Sequence, residues 1–180
     1  AGAGKSTTLG NIVQFFKNEG YEPQGVALSW AAADVLSVET GMVCHSIDQF
    51  IHSKNNGDPY NPFDRPTLIL VDESGLVGVH KMLTLLEIIK KSKHPVKVIL
   101  SGDSTQLNPI NDPNSLELIT KILPEKSKST LDEIRRQSSR SHREAVKLLR
   151  TGHSGQALYI FHQQEVLHLL ENQQDVIQKV

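Results

Sequence analysis

Two apolar runs that each end in acidic residues constrain the fold of this chain more than any other feature. They are residues 67–73 (TLILVDE) and 96–103 (VKVILSGD). Between them, residues 79–91 repeat apolar positions at helical spacing and end in lysines, which suits the dipole of a helix. Continuous apolar runs of this length, rich in β-preferring residues, are typical of strands that are buried on both faces. We therefore predict two buried strands joined through a helix.

The rest of the chain continues this alternation of strands and helices. Polar stretches rich in Gly, Pro and Asn separate the segments, as in the predicted loop at 53–66. We predict helices at 7–19, 30–36, 45–53, 114–123 and 139–150, with further strands at 25–29 and 128–133. This order indicates an α/β fold with a parallel sheet and crossover helices. Ligands of such sheets bind at the carboxyl ends of the strands, where the acidic residues lie.

Composition excludes several classes of protein. The chain has 180 residues, 38% of them hydrophobic and 22% charged, which is typical of a globular domain with a sizeable core. The single cysteine, Cys44, excludes an internal disulfide framework, and no Cys/His spacing resembles a zinc site. The sequence contains neither a signal peptide nor an apolar run long enough to span a bilayer, so we expect no membrane anchor and a cytoplasmic location.

The charge is unevenly distributed along the chain. Residues 121–150 contain nine Lys/Arg and four Asp/Glu, a local net charge of +5, whereas residues 1–120 have a net charge of −4. The basic segment is either a site for a polyanion or a solvated helix face, and charge alone does not separate the two.

The chain begins with AGAGKSTTLG, in which Gly4, Lys5 and Ser6 match the second half of the pattern G-x-x-x-x-G-K-[ST]. The N–H groups of a glycine-rich turn at a helix start bind phosphate, Lys5 would contact the β- and γ-phosphates, and Ser6 or Thr7 would ligate Mg²⁺. The expected nucleotide-binding residues are Gly2, Ala3, Gly4, Lys5, Ser6 and Thr7. The first glycine and a preceding strand would lie upstream of Ala1, so we expect an internal piece of a longer protein. The alternative is a chance helix start.

Asp72 and Glu73 at the end of the first apolar run are candidates for metal binding and catalysis. Asp72 would hold Mg²⁺ together with Ser6, and the adjacent Glu73 would polarise an attacking water. Two neighbouring carboxylates repel each other unless a cation lies between them. The alternative is a surface turn with two solvated acids.

Two later segments contain further candidates for phosphoryl transfer. Gln106 in LSGDSTQLNPI would orient the attacking water, and an arginine of LDEIRRQ would stabilise the charge that develops on the γ-phosphate. Arg135 and Arg136 are adjacent and cannot both point inward, so one of them would fill this role. The alternative for the Gln106 segment is an ordinary turn, and the alternative for the arginines is a structural salt bridge.

These four segments, in this order, resemble the first motor domain of a superfamily 1 DNA helicase. The similarity is greatest to the RecD-like branch, in particular to the helicase part of TraA-type conjugative relaxases. AGAGKST is similar to motif I of that family, LILVDESGLVG to motif II with Ser74 in place of alanine and Leu76 in place of methionine, LSGDSTQLNPI to motif III and LDEIRRQ to motif IV. ALSWAAADVL, VCHSIDQFI and REAVKLLRTGHSGQAL resemble other segments of the family. Motifs V and VI are absent from the sequence.

The resemblance implies a RecA-like P-loop NTPase domain, with helices on both faces of its sheet, that uses ATP and Mg²⁺ to move along single-stranded DNA. Residues 1–152 would form this motor domain, and residues 153–180 would lead toward a second motor domain of the same parent chain. The implied catalytic residues are Glu73, Gln106 and Arg136, the last because the family's arginine directly precedes the polar residue, here Gln137.

The implied contacts to single-stranded DNA are Ser29, Trp30 and His45. Ordinary helix packing is the alternative for Trp30.

At the level of the whole protein, the alternatives are a P-loop kinase of small molecules and a nucleotide-dependent binding module without hydrolysis.

Overall fold

The computed structural model of the chain describes residues 4–55, 63–103, 112–131 and 140–164. The chain divides into two compact units, one formed by Lys5–Thr130 and the other by Ala1–Gly4 with Leu131–Val180. The domain boundary expected at residue 152 stays a prediction. Within the described ranges, no helix is both long and apolar enough to cross a bilayer.

The first unit is built on a four-stranded parallel sheet. Its strands are β1 (Glu22–Ala27), β2 (Val43–Ser46), β3 (Thr67–Val71) and β4 (Val96–Leu100), and their order across the sheet is β2-β1-β3-β4. The helices of this unit are α1 (Lys5–Asn18), α2 (Trp30–Thr40), α3 (Ile47–Asn55), α4 (Val79–Lys90) and α5 (Ser115–Ile122). The α/β class with an all-parallel sheet is confirmed.

Alternate residues of β3 form two separate apolar cores, one on each face of the sheet. Leu68 and Leu70 pack with residues of α1 and α2, which include Leu9, Val13 and Leu36. Ile69 and Val71 pack with residues of α3 and α4, which include Phe50, Met82 and Leu85. Burying one such side chain contributes about 1.5–3 kcal/mol before the cost of ordering it. Helices on both faces therefore cover the centre of the sheet, as predicted.

The strand predicted at residues 96–103 is confirmed as β4, but the prediction that it is buried on both faces is wrong. All five residues of β3 are buried, whereas Lys97 and Val98 of β4 are exposed and the other residues of β4 are only partly buried. Within the part of the sheet that is described, β4 pairs with β3 alone and lies at the edge. Because β4 has no described neighbour on its other side, the described structure covers it less completely than the central strand β3.

Two other predicted segments also differ from the structure. The first two residues of the helix predicted at 45–53 are strand instead: His45 and Ser46 belong to β2 and pair with β1, and α3 begins at Ile47. The strand predicted at 128–133 is wrong for its described part: Glu125–Ser127 form a 3₁₀ turn, and residues 128–131 pair with no described strand. Propensity alone does not form a strand without a partner to bond.

The described part of the second unit is a hairpin of two helices, α6 (Arg140–Arg150) and α7 (Ser154–Gln163). The helix predicted at 139–150 is α6, and Gly152, with a φ of 81°, follows its end as predicted. The His153 N–H donates to the Leu148 carbonyl at 2.8 Å and the Gly152 N–H to the Leu149 carbonyl at 3.2 Å. This bonding pattern ends a helix through a glycine and turns the chain back.

Candidate functional site

The start of α1 has the features of an anion site. Gly4 has a φ of 76°, in the left-handed region that favours glycine, and the helix begins directly after it at Lys5. No acidic residue occurs in the first turn, so the positive end of the helix dipole and Lys5 act together. Ser6 is partly buried and Thr7 is exposed in this turn. Gly2 and Ala3 lie outside the described residues.

Asp72 and Glu73 follow β3 directly. The backbone N–H of Asp72 donates to the carbonyl of Val26 at 2.9 Å, which extends the pairing with β1 by one residue. Glu73 has a φ of 48° and is the one non-glycine residue in the described ranges with a positive φ. Such a conformation costs about 1–3 kcal/mol and persists only where the surrounding structure holds it. The backbone thus turns sharply at Glu73.

Lys5 lies between the two acids. Its Nζ donates a hydrogen bond to Glu73 Oε1 at 2.5 Å and lies 3.0 Å from Asp72 Oδ1. Burial by itself lowers the pKa of the Lys5 ammonium, but the hydrogen bond to Glu73 and the charge of Asp72 outweigh it, so this pKa is raised above 10.5. The lysine is therefore charged at neutral pH and offsets the repulsion between the two carboxylates. The sequence predicted that a cation would be needed here.

Asp72 Oδ1 is buried and accepts no hydrogen bond from the described residues, although Lys5 lies within ion-pair distance. Such an oxygen fits a hard cation, since Mg²⁺ takes one or two carboxylates and completes its shell with phosphates and water. Asp72 and the Ser6 hydroxyl are the oxygen donors expected for Mg²⁺.

The turn after Glu73 is tied to the end of β4 by buried hydrogen bonds. Both the N–H and the hydroxyl of Ser74 donate to the carbonyl of Ser101, at 2.8 and 2.9 Å. The Ser115 hydroxyl donates to the Ser74 carbonyl at 3.2 Å. A Cβ on Gly75 would lie 2.8 Å from the Asp103 carbonyl oxygen, so the two turns pack backbone against backbone. These contacts hold the Glu73 turn in place.

Sequence reasoning did not single out Ser101 or Ser115. Their part in the site depends on a carbonyl acceptor and on a contact between distant segments, and neither leaves a pattern in the sequence. Ser74 departs from the family motif, which has alanine at this position, and its hydroxyl is a buried donor.

The residues expected to contact DNA lie after β1 and in β2. The Ser29 hydroxyl caps α2 by accepting from the Ala32 N–H at 3.2 Å, and Trp30 is 55% exposed. His45 pairs with Val26 across the sheet, and its Nδ1 is 3.0 Å from Gln49 Oε1. The exposure of Trp30 fits a stacking surface, whereas the Ser29 side chain caps a helix.

The catalytic candidates Gln106, Arg135 and Arg136 lie outside the described residues.

A helix start that binds anions, a lysine beside two strand-end acids and a parallel α/β sheet together define a P-loop nucleotide-binding domain of the RecA-like type. The chain belongs to the AAA domain family, whose model matches residues 1–172.

Curated relatives are similar to a large part of the chain. A probable conjugal transfer protein TraA of Sinorhizobium fredii (strain NBRC 101917 / NGR234) is 32% identical over 110 residues, which is 61% of this chain. The conjugal transfer protein TraA of Agrobacterium fabrum (strain C58 / ATCC 33970) is 29% identical over the same length. The aligned part is 10% of each relative. The resemblance to TraA-type proteins that the motifs indicated is confirmed.

Proposed function

We propose that this chain is an ATP-hydrolysing motor domain that moves along single-stranded DNA, as part of a conjugative relaxase/helicase. The observation that carries this proposal is the ion pairing of Lys5 with Asp72 and Glu73 at the carboxyl end of β3. A site that merely binds nucleotide needs one acid for the metal. A second acid in reach of the same lysine supports hydrolysis. The names of the curated relatives support a role in conjugal DNA transfer.

Each residue of the site has a separate role in this proposal. The N–H groups at the start of α1, with Gly2, Ala3, Gly4 and Thr7, would bind the phosphates, and Lys5 would leave the acids to contact the β- and γ-phosphates. Asp72 and Ser6 would hold Mg²⁺, which offsets phosphate charge. Glu73, released from Lys5, would orient the attacking water and accept its proton.

The remaining roles rest on the motifs. Gln106 would orient the water, and Arg136 would stabilise the charge on the transferred phosphate. Ser29, Trp30 and His45 would contact the DNA without sequence preference, through backbone contacts and stacking. A second motor domain of the same parent chain would close the nucleotide cleft. These substrates imply a cytoplasmic location.

The role of Lys5 is tested by nucleotide binding. In Lys5→Ala, loss of the charged contact to the phosphates should lower the affinity for ATP about 10- to 100-fold, the usual worth of a hydrogen bond to a charged group. The measurement is a fluorescence titration with a labelled ATP analogue and Mg²⁺. Lys17→Ala is the matched control, since it removes the same charge from the far end of α1. Equal affinities in the two variants would refute the phosphate site.

A further inference from the structure

The Lys5 ammonium lies at the point where the carboxylates of Asp72 and Glu73 converge. Its Nζ donates to Glu73 Oε1 at 2.5 Å and is 3.0 Å from Asp72 Oδ1, an arrangement that we call the Lys5 bridge. Because both oxygens contact one nitrogen atom, a single cation placed near that point would contact both carboxylates. Lys5 therefore takes the position of a cation that the two acids share.

The Asp72 oxygen that faces Lys5 is closed to solvent. Asp72 Oδ1 is buried, and the Asp72 side chain as a whole is only 15% exposed. Mg²⁺ gives up its water molecules reluctantly, so as a hydrated ion it needs open access to a carboxylate oxygen. A metal can therefore reach Asp72 Oδ1 only after a neighbouring group has moved, and Lys5 is the cation that lies against this oxygen.

Charge also makes the Lys5 bridge and a divalent cation mutually exclusive. A metal on Asp72 Oδ1 would lie beside the Lys5 ammonium, and at about 4 Å like charges repel more strongly in a partly buried site than in bulk water. Without the ammonium, the charge of Asp72 and Glu73 changes from being partly offset to a full −2. Two adjacent carboxylates that repel each other are the ligands that gain most from a divalent cation.

The Lys5 bridge is weak enough to be displaced. The side chains of Lys5 and Glu73 are 33% and 38% exposed, and ion pairs at such positions contribute little to stability. Lys5 is also the first residue of α1, directly after Gly4, and the N–H groups of a helix start attract phosphate. A triphosphate bound there has more negative charge than the two carboxylates, so it competes with them for the ammonium.

We propose that Lys5 excludes divalent cations from Asp72 and Glu73, so that the metal binds only when the phosphates of a nucleotide take Lys5 away from the acids. The identity of the nucleotide rests on the proposed function, whereas the competition between Lys5 and the metal rests on the geometry of the bridge. The same displacement frees Glu73, so the metal ligand and the proposed base become available in one step. A purely structural ion pair is the alternative.

The test is the binding of Mn²⁺, which prefers the same oxygen ligands as Mg²⁺, to the 180-residue chain. The relaxation rate of water protons rises when Mn²⁺ binds to a protein, and it gives the dissociation constant with and without the non-hydrolysable analogue AMP-PNP. Lys5→Met removes the ammonium and keeps a long side chain, whereas Lys5→Arg keeps the charge. Lys81→Met is the matched control, because Lys81 of α4 forms an ion pair at 2.8 Å with a single acid, Asp48 of α3.

Without nucleotide, Lys5→Met should bind Mn²⁺ at least about 10-fold more tightly than the unchanged chain, since a unit charge beside the metal has been removed. Lys5→Arg and Lys81→Met should bind it as weakly as the unchanged chain. Asp72→Asn, added to Lys5→Met, should abolish the gain. With AMP-PNP, the unchanged chain should raise the relaxation rate above that of Mn²⁺ and AMP-PNP alone. If circular dichroism shows that Lys5→Met does not fold, the neutral but polar variant Lys5→Gln should show the gain.

Three results would overturn the proposal: tight binding of Mn²⁺ by the unchanged chain without nucleotide, an equal gain in Lys81→Met, or a folded Lys5→Met variant that gains no affinity for Mn²⁺. The last result would make the Lys5 bridge a purely structural ion pair. A gain in Lys5→Met together with no effect of AMP-PNP on the unchanged chain would refute the nucleotide site, and with it the proposed function. The competition between Lys5 and the metal would then stand.

Discussion

Strands β3 and β4 have similar sequences, TLILV and VKVIL, and very different surroundings. All five residues of β3 are buried between β1 and β4 and under helices on both faces. In β4, which pairs with β3 alone among the described strands, Val98 is 36% exposed. Burial of a strand thus depends on its neighbours as much as on its own residues. Lys97 is exposed in β4 and is a charged side chain of the kind found on edge strands.

The two strands also contribute differently to the site. The end of β3 supplies reactive groups, the carboxylates of Asp72 and Glu73, which are paired with Lys5. The end of β4 supplies support, because the Ser101 carbonyl accepts both hydrogen bonds from Ser74. Changes after β3 should therefore act on catalysis, whereas changes at the contact between the two turns should act on stability.

The largest expected effect is on the chemistry at the end of β3. Glu73→Gln should lower ATP turnover by about 10²–10⁴, the usual contribution of general-base catalysis, and retain nucleotide binding. Asp72→Asn should instead weaken the binding of nucleotide that depends on Mg²⁺. Steady-state hydrolysis and binding titrations on both variants measure this difference. The division of roles is wrong if the two variants show the same pattern.

A smaller effect is expected on the free energy of unfolding when the same substitution, Val→Ala, is made within each of the two strands. Val71→Ala in β3 removes a fully buried side chain and should cost about 1.5–3 kcal/mol of unfolding free energy. Val98→Ala in β4 should cost about 0.5 kcal/mol, as at a surface position. Urea unfolding followed by circular dichroism measures both. Equal costs would mean that β4 is covered in solution.

The smallest effect concerns the contact between the two strand ends. Gly75→Ala would place a Cβ 2.8 Å from the backbone oxygen of Asp103, which cannot move without shifting its turn, so it should destabilise the chain by at least about 1 kcal/mol. Gly10→Ala is the control, since its Cβ would lie 3.9 Å from the Glu39 carbonyl oxygen of α2, an ordinary van der Waals contact, and it should stabilise by about 0.5–1 kcal/mol. Thermal unfolding that shifts in the same direction for both variants would contradict the tight contact.

The sequence predicted the class of fold and assigned Lys5, Asp72 and Glu73 to one nucleotide site, because strand-end ligands of a parallel sheet share one edge. The structure places Lys5 within ion-pair distance of both acids. The roles of the three residues stay predictions. The sequence did not predict the exposure of β4, which depends on strand order, or the Ser74–Ser101 hydrogen bonds, whose acceptor is a backbone carbonyl. The sequence did not predict the strand at His45. This strand has only four residues and is followed directly by a helix, so its apolar pattern is too short to distinguish strand from helix. The roles of Gln106 and Arg136 stay predictions.

The most direct test of the account is the rate of ATP hydrolysis with and without single-stranded oligothymidylate. It should be measured on the 180-residue chain and on the complete reading frame that encodes it, each with its Glu73→Gln variant. Hydrolysis by the complete protein should rise on addition of the oligonucleotide and fall by about 10²–10⁴ in the Glu73→Gln variant. Hydrolysis in the complete protein that ignores DNA, or that survives Glu73→Gln, would contradict a DNA-driven motor built on this site.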